Sequence, residues 1–123
     1  MRRDLRNSDG QKVRTGKLIA QGSHASIAFL TSLISEYHAE VIPLTKAQSE
    51  WINGSFFKIC VGVDTEQELL DIVEKARTLG VECNLITDLG HTEFNGVPTN
   101  TCLALGPDYS SKIDPITGHL KLL

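Results

Sequence analysis

The sequence predicts a single α/β domain, residues 1–123, with helices covering both faces of a sheet. Three observations carry this: a long amphipathic helical pattern from Thr15 to about His38, a capped helix from Thr65 to Gly80, and three apolar, β-branched runs set between and after the helices. A chain of 123 residues suits one domain. Hydrophobic residues at 41% and charged residues at 22% match a globular protein that is neither disordered nor lipid-embedded. No apolar run approaches the ~18 residues needed to span a bilayer, and no basic leader precedes an apolar stretch. A cytoplasmic protein with no membrane partner is therefore expected.

Arg6 to Gly16 is rich in polar and turn-forming residues and reads as a mobile loop. The helix that follows places Leu18, Ile19, Ala25, Phe29, Leu30, Leu33 and Ile34 on one broad apolar arc. Gly22, Ala25 and Ser26 fall within that arc, where small residues would let the helix approach a sheet closely. With about 100° per residue, Lys17, Gln21 and His24 share a separate polar stripe that faces elsewhere. Thr45 to Ile52 forms a short helix ending at Asn53-Gly54. Phe56 to Val63 reads as a buried strand. Thr65 and Glu68 make a capping box, and Gly80 closes that helix. Val81 to Thr87 and Thr101 to Pro107 are two more strands, joined by a loop that begins at Asp88.

The net charge of −3 hides an asymmetry. Arg2, Arg3, Arg6, Lys12, Arg14 and Lys17 are opposed in the first seventeen positions only by Asp4 and Asp9, giving +4, while the remainder of the chain carries −7. A basic rim of this kind can hold a polyanion on an otherwise acidic surface; a solvated arm has the same composition. Cys60, Cys83 and Cys102 each lie in an apolar run and read as small core hydrophobes.

"GKLIAQGSHA" resembles the helix signature of the type 2 peptidyl-tRNA hydrolases, usually G-K-x-A-A-Q-C-S-H-A. "TDLGHTEFNGVPTNTCLALGP" is similar to their D-A-G-x-T segment with its threonine-led strand and G-P, and "IDPITGHLKLL" to their I-D-x-V-T-G-H-L-K-L ending. The resemblance covers nearly the whole chain. Gly22 stands where the family usually has cysteine, Leu89 replaces an alanine, His91 occupies a frequent arginine position, and the loop from Asp88 to Thr101 is one residue longer.

The resemblance implies a three-layer α/β/α fold with a small mixed four-stranded sheet. Its first strand is truncated here, leaving at most a remnant at Met1 to Arg3. It also implies hydrolysis of the ester between a peptide and the 3′ ribose of tRNA, with peptidyl-tRNA as the partner. No cofactor and no metal are expected. The catalytic candidates are Lys17, Gln21, His24, Asp88 and Thr101. Asp88 would orient water, Lys17 would stabilise negative charge, and Gln21 and Thr101 would orient ester or water through neutral hydrogen bonds. His24 is divided between substrate contact and a structural role. Arg3, Arg6, Lys12 and Arg14 are candidates for phosphates, and His91 and Thr92 for further substrate contacts. A homodimer is the assembly suggested by the family, with no interface legible in the sequence.

Other chemistries fit less well. A zinc site from His24, Asp88 and His91 lacks H-E-x-x-H or paired C-x-x-C spacing. A serine or cysteine hydrolase lacks a nucleophile elbow. The alternative is a non-catalytic protein- or RNA-binding module of the same fold.

Overall fold

The computed structural model describes residues 1–37 and 41–123, so His38, the expected end of the first helix, lies outside the described residues. The elements run α1 (Thr15–Tyr37), α2 (Lys46–Asn53), α3 (Glu66–Thr78), β1 (Cys83–Asp88), β2 (Thr99–Leu105) and α4 (Ser110–Thr117). The architecture is mixed α/β.

α1 packs on both strands, but its inward stripe differs from the expected arc. Gln21, Ala25 and Phe29, four residues apart, are the buried positions, whereas Ile19 and Ile34 are exposed. The polar stripe divides accordingly: Gln21 turns inward and His24 stays exposed. Gly22 is not a close-packing residue, because a Cβ built there meets nothing within 4 Å. Within Thr15–Glu36, length and a mean hydropathy of 1.2 would by themselves suit a membrane span. In this fold that same helix places Gln21 and Lys17 against the strands and their loop.

α2 carries a full capping box, with Thr45 accepting from Gln48 and Gln48 reaching back to the cap. Trp51 of α2 meets Phe29 of α1 edge-on, with ring centres 6.1 Å apart. α3 begins with Thr65 accepting from the Glu68 backbone, while the Glu68 carboxylate receives the Asp64 N–H. Leu69, Ile72 and Ala76 of α3 join Val63, Val81 and Ile116 in the main core. Cys83, Leu85, Leu103 and Leu105 pack on that core, whereas the Cys102 thiol reaches the Gln21 carbonyl of α1. α1 and α3 therefore address alternate residues of β2.

Of the four strands expected, β1 and β2 form the one assigned sheet of the described residues, an antiparallel pair. Both begin two residues away from the expected starts. Phe56 to Val63 is not a buried strand: Phe57 and Ile59 are 78% and 79% exposed. Among the described residues its pairing is confined to the Val63 end. Met1 N–H donates to Val61 O, Val63 N–H to Met1 O and Arg3 N–H to Val63 O, while Gly62 bonds Lys121 and Leu123 bonds Cys60. Arg2 N–H in turn reaches Thr101 O, so Met1 to Arg3 bridges that segment and β2. Among the described residues, the N–H groups at Phe57 to Ile59 have no such ladder, and the apolar run there stays at the surface, where water satisfies its backbone.

Arg6 to Gly16 is not a featureless loop. Arg6 and Lys12 pair antiparallel, and the Asn7 side chain accepts the Asp9 and Gln11 N–H groups. Leu5 and Val13 flank this hairpin and bury themselves with Phe94. α4 is a further element that the pattern did not disclose, since Pro115 lies inside its eight residues.

Candidate active site

Asp88 ends β1, opposite Thr99. The chain turns sharply behind it at Gly90, whose φ is +85° and where a Cβ would lie 2.5 Å from the Val97 carbonyl oxygen. Only glycine fits both conditions. Its N–H donates to Asp88 Oδ1 at 2.8 Å.

The other carboxylate oxygen faces α1. Asp88 Oδ2 accepts from Lys17 Nζ at 2.5 Å and from Gln21 Nε2 at 2.8 Å. Lys17 also donates to Thr92 Oγ1 at 3.1 Å and stands 5.7 Å from the centre of the Phe94 ring. Burial pushes the Asp88 carboxyl upward, but bonds from Lys17, Gly90 and Gln21, with the Lys17 charge, outweigh it and hold the group below the usual carboxylate value. Asp88 is thus an ionised acceptor at neutral pH.

Thr101 completes the cluster from beneath. In the pairing of β1 with β2, Ile86 lies opposite Cys102 and Thr87 opposite Asn100, leaving Thr101 as the extra residue of a bulge. Fully buried, it donates its hydroxyl to Gln21 Oε1 at 2.6 Å. Asp88 can only accept, so it requires the Gln21 NH₂ group, and Thr101 holds the amide in that orientation. Thr101 is linked to the carboxylate through Gln21 and is buried beneath it, whereas the sequence alone suggests that it orients ester or water itself.

The cluster therefore gathers Lys17, Gln21, Asp88, Thr92 and Thr101. His24 and His91 are exposed and stand outside this bonded set. Arg3 turns toward Asp64 and the Lys121 and Leu122 carbonyls rather than toward Lys17. Arg14 pairs with Glu93 at 2.7 Å. Arg6 and Lys12 sit exposed on the hairpin. A depression of about 350 Å³ is lined by Arg6, Asn7, Ser8, Phe94, Asn95 and Thr99, among others, and Thr99 is the strand partner of Asp88.

Glu93 and Phe94 carry no spacing signal and become visible only when the loop folds back onto α1. Glu93 is buried, and its bonds from Arg14 hold its carboxyl below the usual range. Among the thiols, burial pushes Cys83 up to about 11 and raises Cys102, so both favour the protonated form at neutral pH. Cys60, in contrast to the sequence expectation, is exposed. Among the described residues no group of three His, Cys, Asp or Glu side chains is arranged to hold a metal ion.

The family model described as peptidyl-tRNA hydrolase PTH2 matches residues 1–123. The chain is 44% identical over 109 residues to a peptidyl-tRNA hydrolase of Methanocaldococcus jannaschii, covering 88% of this chain and 87% of that protein. It is 40% identical over 112 residues to one of Methanothermobacter thermautotrophicus, covering 91% and 90%. A third, from Nanoarchaeum equitans, is 38% identical over 107 residues, covering 87% and 86%.

Proposed function

The chain belongs to the peptidyl-tRNA hydrolase PTH2 family, and from that premise we propose that the cluster around Asp88 is where it hydrolyses the ester between a peptide and the 3′ ribose of tRNA. The supporting observation is that Lys17 and Gln21 both donate to one Asp88 oxygen, Oδ2. A carboxylate has about four acceptor positions. Two on Oδ2 and one on Oδ1 are occupied, so Oδ1 keeps one for a water molecule. Lys17 has three ammonium protons. Among the described residues Asp88 and Thr92 take two, which leaves the third for the ester carbonyl oxygen or an adjacent phosphate.

In this scheme water held by Asp88 Oδ1 adds to the ester carbonyl carbon while Lys17 stabilises the developing oxyanion. The bond to the ribose oxygen then breaks, that oxygen takes one proton derived from the water, and the peptide leaves as a carboxylate while the second proton passes to solvent. A carboxyl group held below its ordinary pKa is a weak base, so orientation and electrostatics carry more of the rate than proton abstraction. Gln21 and Thr101 fix Asp88 rather than touch substrate. Arg6 and Lys12 hold phosphates from the hairpin, Arg6 from the wall of the depression that Phe94 and Thr99 also line. A non-catalytic binding module has no need of this chain of oriented donors.

The same premise extends to the sheet. Met1 to Arg3 joins β2 to the Cys60–Val63 segment, which supports a wider mixed sheet of three-layer form than the two assigned strands.

The test is release of the blocked amino acid from N-acetylaminoacyl-tRNA, with chelator present to address the metal alternative. Asp88→Asn and Lys17→Ala should each lower turnover by at least ~100-fold with the fold intact. Near-normal turnover in folded Asp88→Asn would remove the assignment.

A further inference from the structure

The loop that leaves Asp88 carries a second carboxylate, which the ester chemistry above does not use. Glu93 is only 4% exposed. Its Oε2 accepts the Arg14 backbone N–H at 3.2 Å, and its Oε1 accepts Arg14 Nε at 2.7 Å. Its carbonyl accepts the Ser8 N–H at 2.8 Å, which ties the basic hairpin to the same point. Arg14 immediately precedes α1, and its own carbonyl accepts the N–H groups of Lys17 and Leu18 at 3.0 and 3.2 Å. Arg14 is therefore the residue on which the first turn of α1 closes.

The neighbours of Glu93 address that same turn. Thr92 binds the Lys17 ammonium directly, and Phe94 presents its ring to it. Three consecutive residues thus act on one side chain: the outer two meet the ammonium, and the central one holds the backbone from which it extends.

We propose that Glu93 is a positioning residue of the hydrolytic site, locking the Asp88–Thr99 loop to the start of α1 so that Lys17 Nζ is held on Asp88 Oδ2. The role rests on the assignment of Lys17 and Asp88 as the reacting pair. A buried carboxylate is costly unless it is paired and hydrogen-bonded. Arg14 supplies two donors, one of them charged, at a fixed spacing that also fixes the helix. Because Glu93 directs both oxygens to Arg14, its effect passes through geometry, and a misplacement of about 1 Å at a reacting group costs on the order of 10²-fold in rate.

The experiment uses the full chain. Glu93→Ala and Arg14→Ala are assayed on N-acetylaminoacyl-tRNA, and the Asp88 carboxyl is titrated by NMR in each. Glu93→Ala should lower kcat by roughly 10- to 100-fold with KM within about twofold. The Asp88 carboxyl should titrate at higher pH than in the unmodified chain, because Lys17 no longer stays on it. Arg14→Ala removes an exposed side chain while keeping the backbone N–H bond, so its loss should be smaller. The double variant should be no worse than Glu93→Ala alone, since both act through one contact.

Unchanged kcat in folded Glu93→Ala, an unmoved Asp88 titration, or additive losses would each overturn the role. If Glu93→Ala does not fold, Glu93→Gln decides between the outcomes: it keeps the volume and the acceptor for Arg14 N–H, and it should give an intermediate loss with the same direction of Asp88 shift. An Asp88 shift in a chain that hydrolyses nothing supports the clamp and instead defeats the assignment beneath it.

Discussion

Thr101 donates its hydroxyl proton to Gln21 Oε1 across 2.6 Å, from a position opposite which β1 supplies no partner. The bulge and the orientation of the Gln21 amide are thus one device. Regular pairing would place Thr101 in the ladder and alter the direction of its side chain.

Thr101→Val keeps the shape of Thr101 and removes the donor. Gln21 Oε1 is then buried without its partner, at a cost of about 1–3 kcal/mol, and its amide is no longer held with NH₂ toward Asp88. Turnover should fall roughly 10-fold at nearly constant KM, with a matching loss in urea stability. Thr101→Ser should restore most of both. Equal behaviour of the valine and serine variants in kcat and urea midpoint would show that the hydroxyl has no such role.

The Asp88 carboxyl sits below its usual value of 3.8 in the fold. A depressed carboxyl contributes stability that is present above the unfolded pKa and is lost as pH falls through the folded one. Asp88→Asn should therefore differ from the unmodified chain in stability at neutral pH, and the difference should close below pH 3.8. Denaturant melts of both chains across the acid range check this. A constant difference down to the lowest pH would mean that Asp88 is not held by charge.

The first three helices were legible because their signals are local, whereas α4, with Pro115 inside it, was not. Thr65 with Glu68 marks the start of α3 through bonds that the segment makes with itself and its immediate neighbour. The candidate site was legible in part: Lys17, Gln21 and Asp88 stand in motifs, whereas the contact of Glu93 forms only when a loop 79 residues away in sequence returns to Arg14. Phe56 to Val63 misled because composition reports apolar content and not whether a neighbouring strand exists to pair with it. The basic rim was legible only as charge: composition does not reveal that Arg3 and Arg14 pair with Asp64 and Glu93 while Arg6 and Lys12 stand exposed on the hairpin.

Two glycines should respond in opposite directions. Gly22→Ala adds a Cβ into open space within a helix, so it should stabilise by up to ~1 kcal/mol. Gly90→Ala forces a positive φ on alanine and drives its Cβ to 2.5 Å from Val97 backbone, so it should destabilise and also displace the N–H that holds Asp88. Thermal melts with turnover measured in parallel separate the two. A destabilised Gly22→Ala would restore the close-packing role that the sequence first suggested.

Arg6 and Lys12 are exposed cations whose backbones pair across the hairpin. Reversing both to glutamate should weaken tRNA binding and reduce the slope of log K against log salt by about 1.5, because each lost phosphate contact removes roughly 0.7–0.9 from it. Arg77→Glu, on the far helix and paired with Glu74, should leave the slope unchanged. Equal slopes for the double reversal and the unmodified chain would make the hairpin a purely structural element.

The Met1 amine donates to Val61 O, and burial pushes its pKa below the usual 8.0. When the folded pKa of an amine is lowered, the unfolded chain binds more protons between the two values, so stability should rise with pH up to about 8.0. Appending six β-branched and apolar residues ahead of Met1 converts that ammonium into an amide that keeps the bond to Val61 and carries no charge to bury. The added residues would extend the Met1–Arg3 pairing alongside Phe57 and Ile59, whose side chains are now largely exposed. Strands gain most from partners on both edges and a covered face. The extended chain should melt at higher temperature, lose the alkaline rise in stability, and show slower hydrogen exchange at the Ile59 and Val61 amides. An extension that stays disordered, with the melting temperature and exchange unchanged, would show that the Phe56 to Val63 segment does not accept a strand on this side, and the wider mixed sheet would have to be given up.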